Sequence, residues 1–112
     1  REFLYVEDLA DAILFLMENI DASDLYEKDI SHINIGSGKD ITIDDLAKLI
    51  AEIVGFEGKI IHDAAKPDGT PRKLMDVSRI NQLGWEYKTE LREGLTKTYK
   101  WFKDNMEIRR EN

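Results

Sequence analysis

Apolar positions along the chain switch between two spacings. In EFLYV, residues 2–6, aromatic and branched residues cluster as in a short strand. Leu9, Ala12, Ile13 and Leu16 then follow at i, i+3, i+4 and i+7. That spacing predicts an amphipathic helix ending near Asn19, with Glu7 or Asp8 as its cap. Residues 20–29 are polar and irregular and read as an exposed loop. HINIG, 32–36, is an apolar run stopped by Gly36 and Gly38, the pattern of a buried strand. Thr42 is placed to cap a second helix, with Asp45 three residues on at the capping-box position. Its stripe is Ile43, Leu46, Ala47, Ile50 and Ile53, and Gly55 ends it.

KIIHD, 59–63, reads as a third strand. A Pro/Gly loop follows. Asp76 is placed to cap a short helix through Leu83, closed by Gly84. Thr89 is placed to cap a last helix carrying Leu91, Leu95, Tyr99 and Phe102 on one face, and the tail 107–112 reads as frayed. This order is that of an α/β chain, mixed α+β when taken alone. Three short strands are too few for a doubly wound sheet, so the chain reads as the substrate half of something larger. It also starts without Met and inside a strand pattern, which predicts a fragment of a longer protein.

Composition narrows the picture. With 112 residues, 42% apolar and 35% charged, the chain suits one small domain. No apolar run approaches the length of a membrane span, and no signal peptide is visible. The absence of cysteine excludes disulfides and thiolate metal sites and fits a cytoplasmic protein. A net charge of −7 disfavours nucleic acid and anionic membrane as partners.

One stretch departs from that acidity. Between Ala64 and Arg79 stand Lys66, Arg72, Lys73 and Arg79 against Asp68 and Asp76. The local charge is +2, which leaves −9 for the rest. Pro67 and Pro71 fix φ, and Gly69 permits a tight turn. A stiff loop keeps Asp68 and Arg72 in place without a large ordering cost on binding. Arginine offers a planar fork to phosphate, and a carboxylate accepts from two hydroxyls of a ribose or sugar. From composition, two readings stay open: a nucleotide-diphosphate site, and a rigid structural turn with a solvated charged face.

Three other features carry less. Gly36-Ser37-Gly38 follows a strand pattern, but the third glycine of a dinucleotide loop would fall at Ile41, so a plain turn is expected. Tyr99 and Lys103 have the YxxxK spacing of a catalytic pair, yet Tyr99 shares the apolar face of its helix and reads as core. His32 and His62 lie thirty residues apart with no metal-ligand spacing.

REFLYVEDLADA (1–12), INIGSGKDITIDDLA (33–47) and KPDGTPRKLMDVSRINQLGW (66–85) together resemble the C-terminal third of the GDP-L-fucose synthase family of extended short-chain dehydrogenase/reductases. The likeness covers nearly the whole chain, and its last stretch is the most specific. It implies a single C-terminal substrate-binding region over 1–112, with the Rossmann core mostly absent. It implies a parent enzyme, a homodimer, that epimerises C3 and C5 of GDP-4-keto-6-deoxy-mannose and reduces C4 with NADPH. The family's motifs place substrate-binding residues at Arg1 and Asp68. Arg72 and Lys73 fall in the same motif, and their contact is inferred from charge. Tyr5 and Glu7 stand where the family usually has His and Asp.

The glycine-rich cofactor loop and the catalytic groups lie upstream in that family. The chain alone is therefore expected to be inactive, and to self-associate through exposed apolar surface. Two alternatives accompany this reading. One is a related enzyme for a colitose- or heptose-type GDP-keto-deoxy sugar. The other is a non-catalytic nucleotide-sugar binding module.

Overall fold

Helix α1, Val6–Asn19, opens the chain in a computed structural model that describes residues 1–106. It turns its inner face, Ala12, Phe15 and Leu16, toward Ile80 and Trp85. Ala12 and Ile80 are fully buried, and Leu4, Ile33, Ile35, Val77 and Tyr87 close around them. A short helix α2, Ala22–Tyr26, follows where a loop was expected. Its start is set by Asp24, whose carboxylate accepts from the Asp21 amide at 3.0 Å.

Helix α3, Ile43–Val54, begins where its cap predicts. Thr42 Oγ1 accepts from the Asp45 amide at 3.0 Å and donates to its carboxylate at 2.7 Å. Gly55 ends the helix in the left-handed region, φ 71°, where a Cβ would be strained. Helix α4, Ser78–Leu83, ends at Gly84 with φ 109°. Helix α5, Leu91–Asp104, packs on α3. Gly94 is buried against Tyr5, and a Cβ there would meet the tyrosine at 3.3 Å.

Several sequence expectations need correction. Segments 2–6, 32–36 and 59–63 form no strand ladder among the described residues. The one pairing is an isolated antiparallel bridge between Glu2 and Asp40. An apolar alternating run favours extended backbone, but a strand needs a neighbour for its amides, and among the described residues the pairing beside 2–6 stops at Glu2 while 32–36 and 59–63 have none. Neither Glu7 nor Asp8 caps α1. Tyr5 stands at that position, and Asp8 turns inward. Thr89 does not cap α5, which starts after Glu90, because its hydroxyl donates to Asp8 at 2.9 Å. Asp76 binds the Ser78 amide at 2.9 Å one residue before the α4 cap, Val77. The expected frayed tail, 107–112, lies outside the described residues.

The fold is open. Its radius of gyration is 17.9 Å, against about 13 Å for a compact chain of this length. Residues 56–76 run exposed from end to end. Val6, Leu14 and Met17 of α1 and Ile61 of the long segment present apolar surface to solvent.

Candidate functional site

The first two residues are tied to segments far along the chain. Arg1 and Ile41 exchange main-chain hydrogen bonds, 2.7 Å from the Arg1 amine to Ile41 O and 2.9 Å from the Ile41 amide to Arg1 O. Glu2 then acts as a strap. Its carboxylate accepts from the Gly38 amide at 2.8 Å and from the Met75 amide at 2.9 Å. Gly36 makes room for it, since a Cβ there would stand 2.2 Å from Glu2 Oε1. The Gly-Ser-Gly turn thus holds an anion, but the anion is the chain's own carboxylate. A dinucleotide phosphate has no place in it.

This strapping carries the Arg1 side chain across to the Pro/Gly loop. Arg1 Nη1 donates to the Thr70 carbonyl at 2.5 Å. A Cβ on Gly69 would lie 3.0 Å from Arg1 Nη2, so the loop passes close under the guanidinium. Arg1, Asp68 and Arg72 consequently share the wall of one cleft of about 800 Å³, with Ile41, Ile43 and Pro71 as apolar surface and Asp40 and Asp45 as further carboxylates. That volume is within the range of small-molecule sites.

The charged groups differ in how far they are committed. Arg72 forks Asp40, with Nε 2.5 Å from Oδ2 and Nη2 3.3 Å from Oδ1. The Arg72 hydrogen bond, with its charge, holds the Asp40 carboxyl below the usual carboxylate range, against a smaller opposing effect of burial. Asp45 serves the α3 cap. Asp68 has no hydrogen-bond or ion-pair partner among the described residues, and it is exposed on the cleft wall. Lys73 is exposed and lies outside the residues that line the cleft.

The remaining motifs fall elsewhere. Tyr99 lines an apolar groove between α3 and α5 with Ile50, Ile53, Leu95 and Phe102. Lys103 Nζ sits 4.9 Å from its ring centroid, a cation–π contact. His62 Nε2 meets Asp44 at 3.0 Å, and Lys48 meets the same carboxylate at 2.5 Å. His32 accompanies Ser31 at 3.2 Å. Among the described residues no group of three or more potential ligands is placed to hold a metal ion. No helix there is long and apolar enough to cross a membrane.

Sequence reasoning missed Glu2 and Asp40, and it gave Asp8 the wrong partners. Asp8 is buried and binds the amides of Lys88 and Thr89, at 2.9 and 2.8 Å, which fixes the turn before α5. Asp11 accepts from Trp85 Nε1 at 2.9 Å beside it. Their partners are mostly main-chain amides distant in sequence, which no residue pattern announces.

No protein-family model matches the chain. It is 52% identical over 106 residues to a probable GDP-L-fucose synthase 1 of Oryza sativa, covering 95% of this chain and 30% of the relative. To the GDP-L-fucose synthase of Escherichia coli it is 49% identical over 111 residues, 96% of this chain and 34% of the relative. A GDP-L-colitose synthase of Yersinia pseudotuberculosis matches at 40% identity over 91% of this chain and 31% of its own length. Among solved structures, a GDP-6-OMe-4-keto-L-xylo-heptose reductase from C. jejuni superimposes with a TM-score of 0.87 at 42% identity, over 94% of this chain and 31% of the other. A GDP-mannoheptose C4 reductase from Campylobacter jejuni with NADP bound gives 0.80 at 43%, over 92% and 31%. The chain thus spans about 30% of the length of the relatives it matches.

Proposed function

We propose that this chain, whose sequence and α/β fold are those of the C-terminal part of GDP-L-fucose synthases and other extended short-chain dehydrogenase/reductases, supplies the GDP-sugar-binding wall of such an enzyme. Residues 1–112 act as one substrate-binding region. The intact protein epimerises C3 and C5 of GDP-4-keto-6-deoxy-mannose and reduces C4 with NADPH. The observation that carries the reading is the convergence of Arg1 and Asp68, sixty-seven positions apart in sequence, on one cleft.

The roles follow from chemistry. One edge of the Arg1 guanidinium is fixed on Thr70, and its other N–H groups are left to meet phosphate oxygens. Asp68 accepts from hydroxyl or amide donors of the nucleotide or sugar. Arg72 adds a second fork, and Lys73 a charge beside the cleft. No described residue forms a catalytic constellation here, and the glycine turn is filled by Glu2, so NADPH and the reacting atoms belong to parts of the protein outside this chain. By itself the chain is inactive.

Titrating GDP against the intact protein and its Arg1→Ala and Asp68→Ala variants tests this. Each substitution should weaken binding roughly 10- to 100-fold, as for loss of hydrogen bonds to a charged group. Equal affinity in all three would remove the cleft from the site.

A second reading, a heptose- or colitose-type GDP-keto-deoxy-sugar enzyme, is favoured by the heptose reductases among the structural neighbours. Turnover of the intact protein on each GDP-sugar, followed by NADPH oxidation, separates the two. The proposal extends to a cytoplasmic homodimer for the parent, and to self-association of the isolated chain through Val6, Leu14 and Met17. Sedimentation of the chain as a monomer at all concentrations would refute the latter.

A further inference from the structure

We propose that Asp40 is a positioning residue that aims the Arg72 guanidinium at the diphosphate of the bound nucleotide sugar. The inference rests on the reading of the cleft as a GDP-sugar site and assigns a division of labour within it. Both residues line the cleft from opposite segments. Asp40 follows the Gly-Ser-Gly turn, and Arg72 ends the Pro/Gly loop. The fork between them joins the two walls, thirty-two residues apart in sequence.

The geometry limits what each atom can do. Arg72 uses Nε and one Nη2 hydrogen on the two oxygens of Asp40. Of five N–H donors, three remain: both on Nη1 and one on Nη2. They lie along the edge of the plane turned away from Asp40. An unpaired arginine would reach the cleft in many rotamers and lose that freedom on binding. Held side-on by Asp40, it offers a flat pair of donors already oriented for an oxygen of phosphate. Asp40 is itself anchored, because the main-chain exchange between Arg1 and Ile41 and the Glu2–Asp40 bridge fix its backbone.

The opposing view is that Asp40 competes for Arg72 and repels the ligand. The cleft also carries Asp45 and Asp68, so removal of one carboxylate would then tighten anion binding. The two views predict opposite signs.

The test compares GDP with guanosine on the intact protein, since only GDP carries phosphate. In Asp40→Asn the GDP affinity should fall about tenfold while guanosine affinity stays within twofold, as expected when a charge-assisted contact to phosphate is misaligned. A global folding defect would lower both and leave their ratio unchanged. Arg72→Lys keeps the charge but not the fork, so Asp40→Asn added to it should change the ratio no further. An unchanged GDP-to-guanosine ratio in Asp40→Asn, or tighter GDP binding, would overturn the role of Asp40. If wild-type protein bound GDP no better than guanosine, the reading of the cleft would fail before any variant was measured.

Discussion

Replacing Asp8 by Asn should release the turn that precedes α5. The carboxylate is 5% exposed and accepts three hydrogen bonds, from the Lys88 and Thr89 amides at 2.9 and 2.8 Å and the Thr89 hydroxyl at 2.9 Å. Burial pushes its pKa up, but the Thr89 and Lys88 hydrogen bonds and the Lys88 charge together outweigh that and leave it below the ordinary value. An Asn whose oxygen takes the place of Oδ2 keeps the two amides, but its NH₂ then faces the Thr89 hydroxyl, which must reverse to accept, and every hydrogen bond that remains has lost its charge. Hydrogen bonds to charged groups contribute about 1.5–3 kcal/mol each against about 0.5–1.5 for neutral ones, and all three are weakened at once. Asp8 is covered but lies close beneath the surface of an open molecule, so solvent screening favours a total of about 2–3 kcal/mol. Hydrogen–deuterium exchange at neutral pH reads this locally. The amides of residues 88 and 89 should exchange roughly 30- to 150-fold faster in the variant, with little change in α3. Rates within threefold of wild type would mean that something other than this carboxylate holds the turn.

Other outcomes follow from the same contacts. Because the folded pKa of Asp8 is depressed, its contribution is fully present above the unfolded carboxylate value, about 3.9, and disappears as pH falls through the folded value. Urea midpoints should therefore decline more steeply below about pH 4 in wild type than in Asp8→Asn. Gly36→Ala should cost more than about 2 kcal/mol by driving Glu2 off the Gly38 and Met75 amides, and much less in a Glu2→Ala background; additive unfolding energies would contradict that coupling. Tyr99→Phe should leave stability within about 0.5 kcal/mol and turnover of the intact protein unchanged, whereas a large loss of turnover would reinstate the catalytic pair.

Four of the five helices among the described residues were legible because their signals are local. Thr42 and Gly55 bracket α3, and the stripes of α1 and α5 repeat within one element. The start of α2 carried a signal too, Asp21 with Asp24 three residues on, in a stretch polar enough to pass for loop. The strands failed for the opposite reason. Branched residues in 32–36 and 59–63 favour extended backbone, but pairing is decided by chain far away or outside these residues. The cleft divides in the same manner. The stiffness and charge of residues 66–73 are visible in their own letters. That Arg1 reaches them depends on Glu2 finding amides 36 and 73 residues on, and such a partnership has no motif.

The hydrogen bond from Arg1 to Thr70 joins residues 69 apart. A ligand gripped by Arg1 on one side and Asp68 on the other would act as a reversible cross-link across that span. Closing so long a loop removes configurational freedom from the unfolded chain, and the cost grows only slowly with further length. The binding free energy is then shared with the fold: at a hundredfold excess over Kd a nucleotide sugar would add about 2.7 kcal/mol of stability. For a chain whose deepest core is Ala12, Ile80 and Trp85, that is a large fraction of what holds it together. Occupancy of the cleft would thus be read out as resistance to heat and protease as much as by any chemistry.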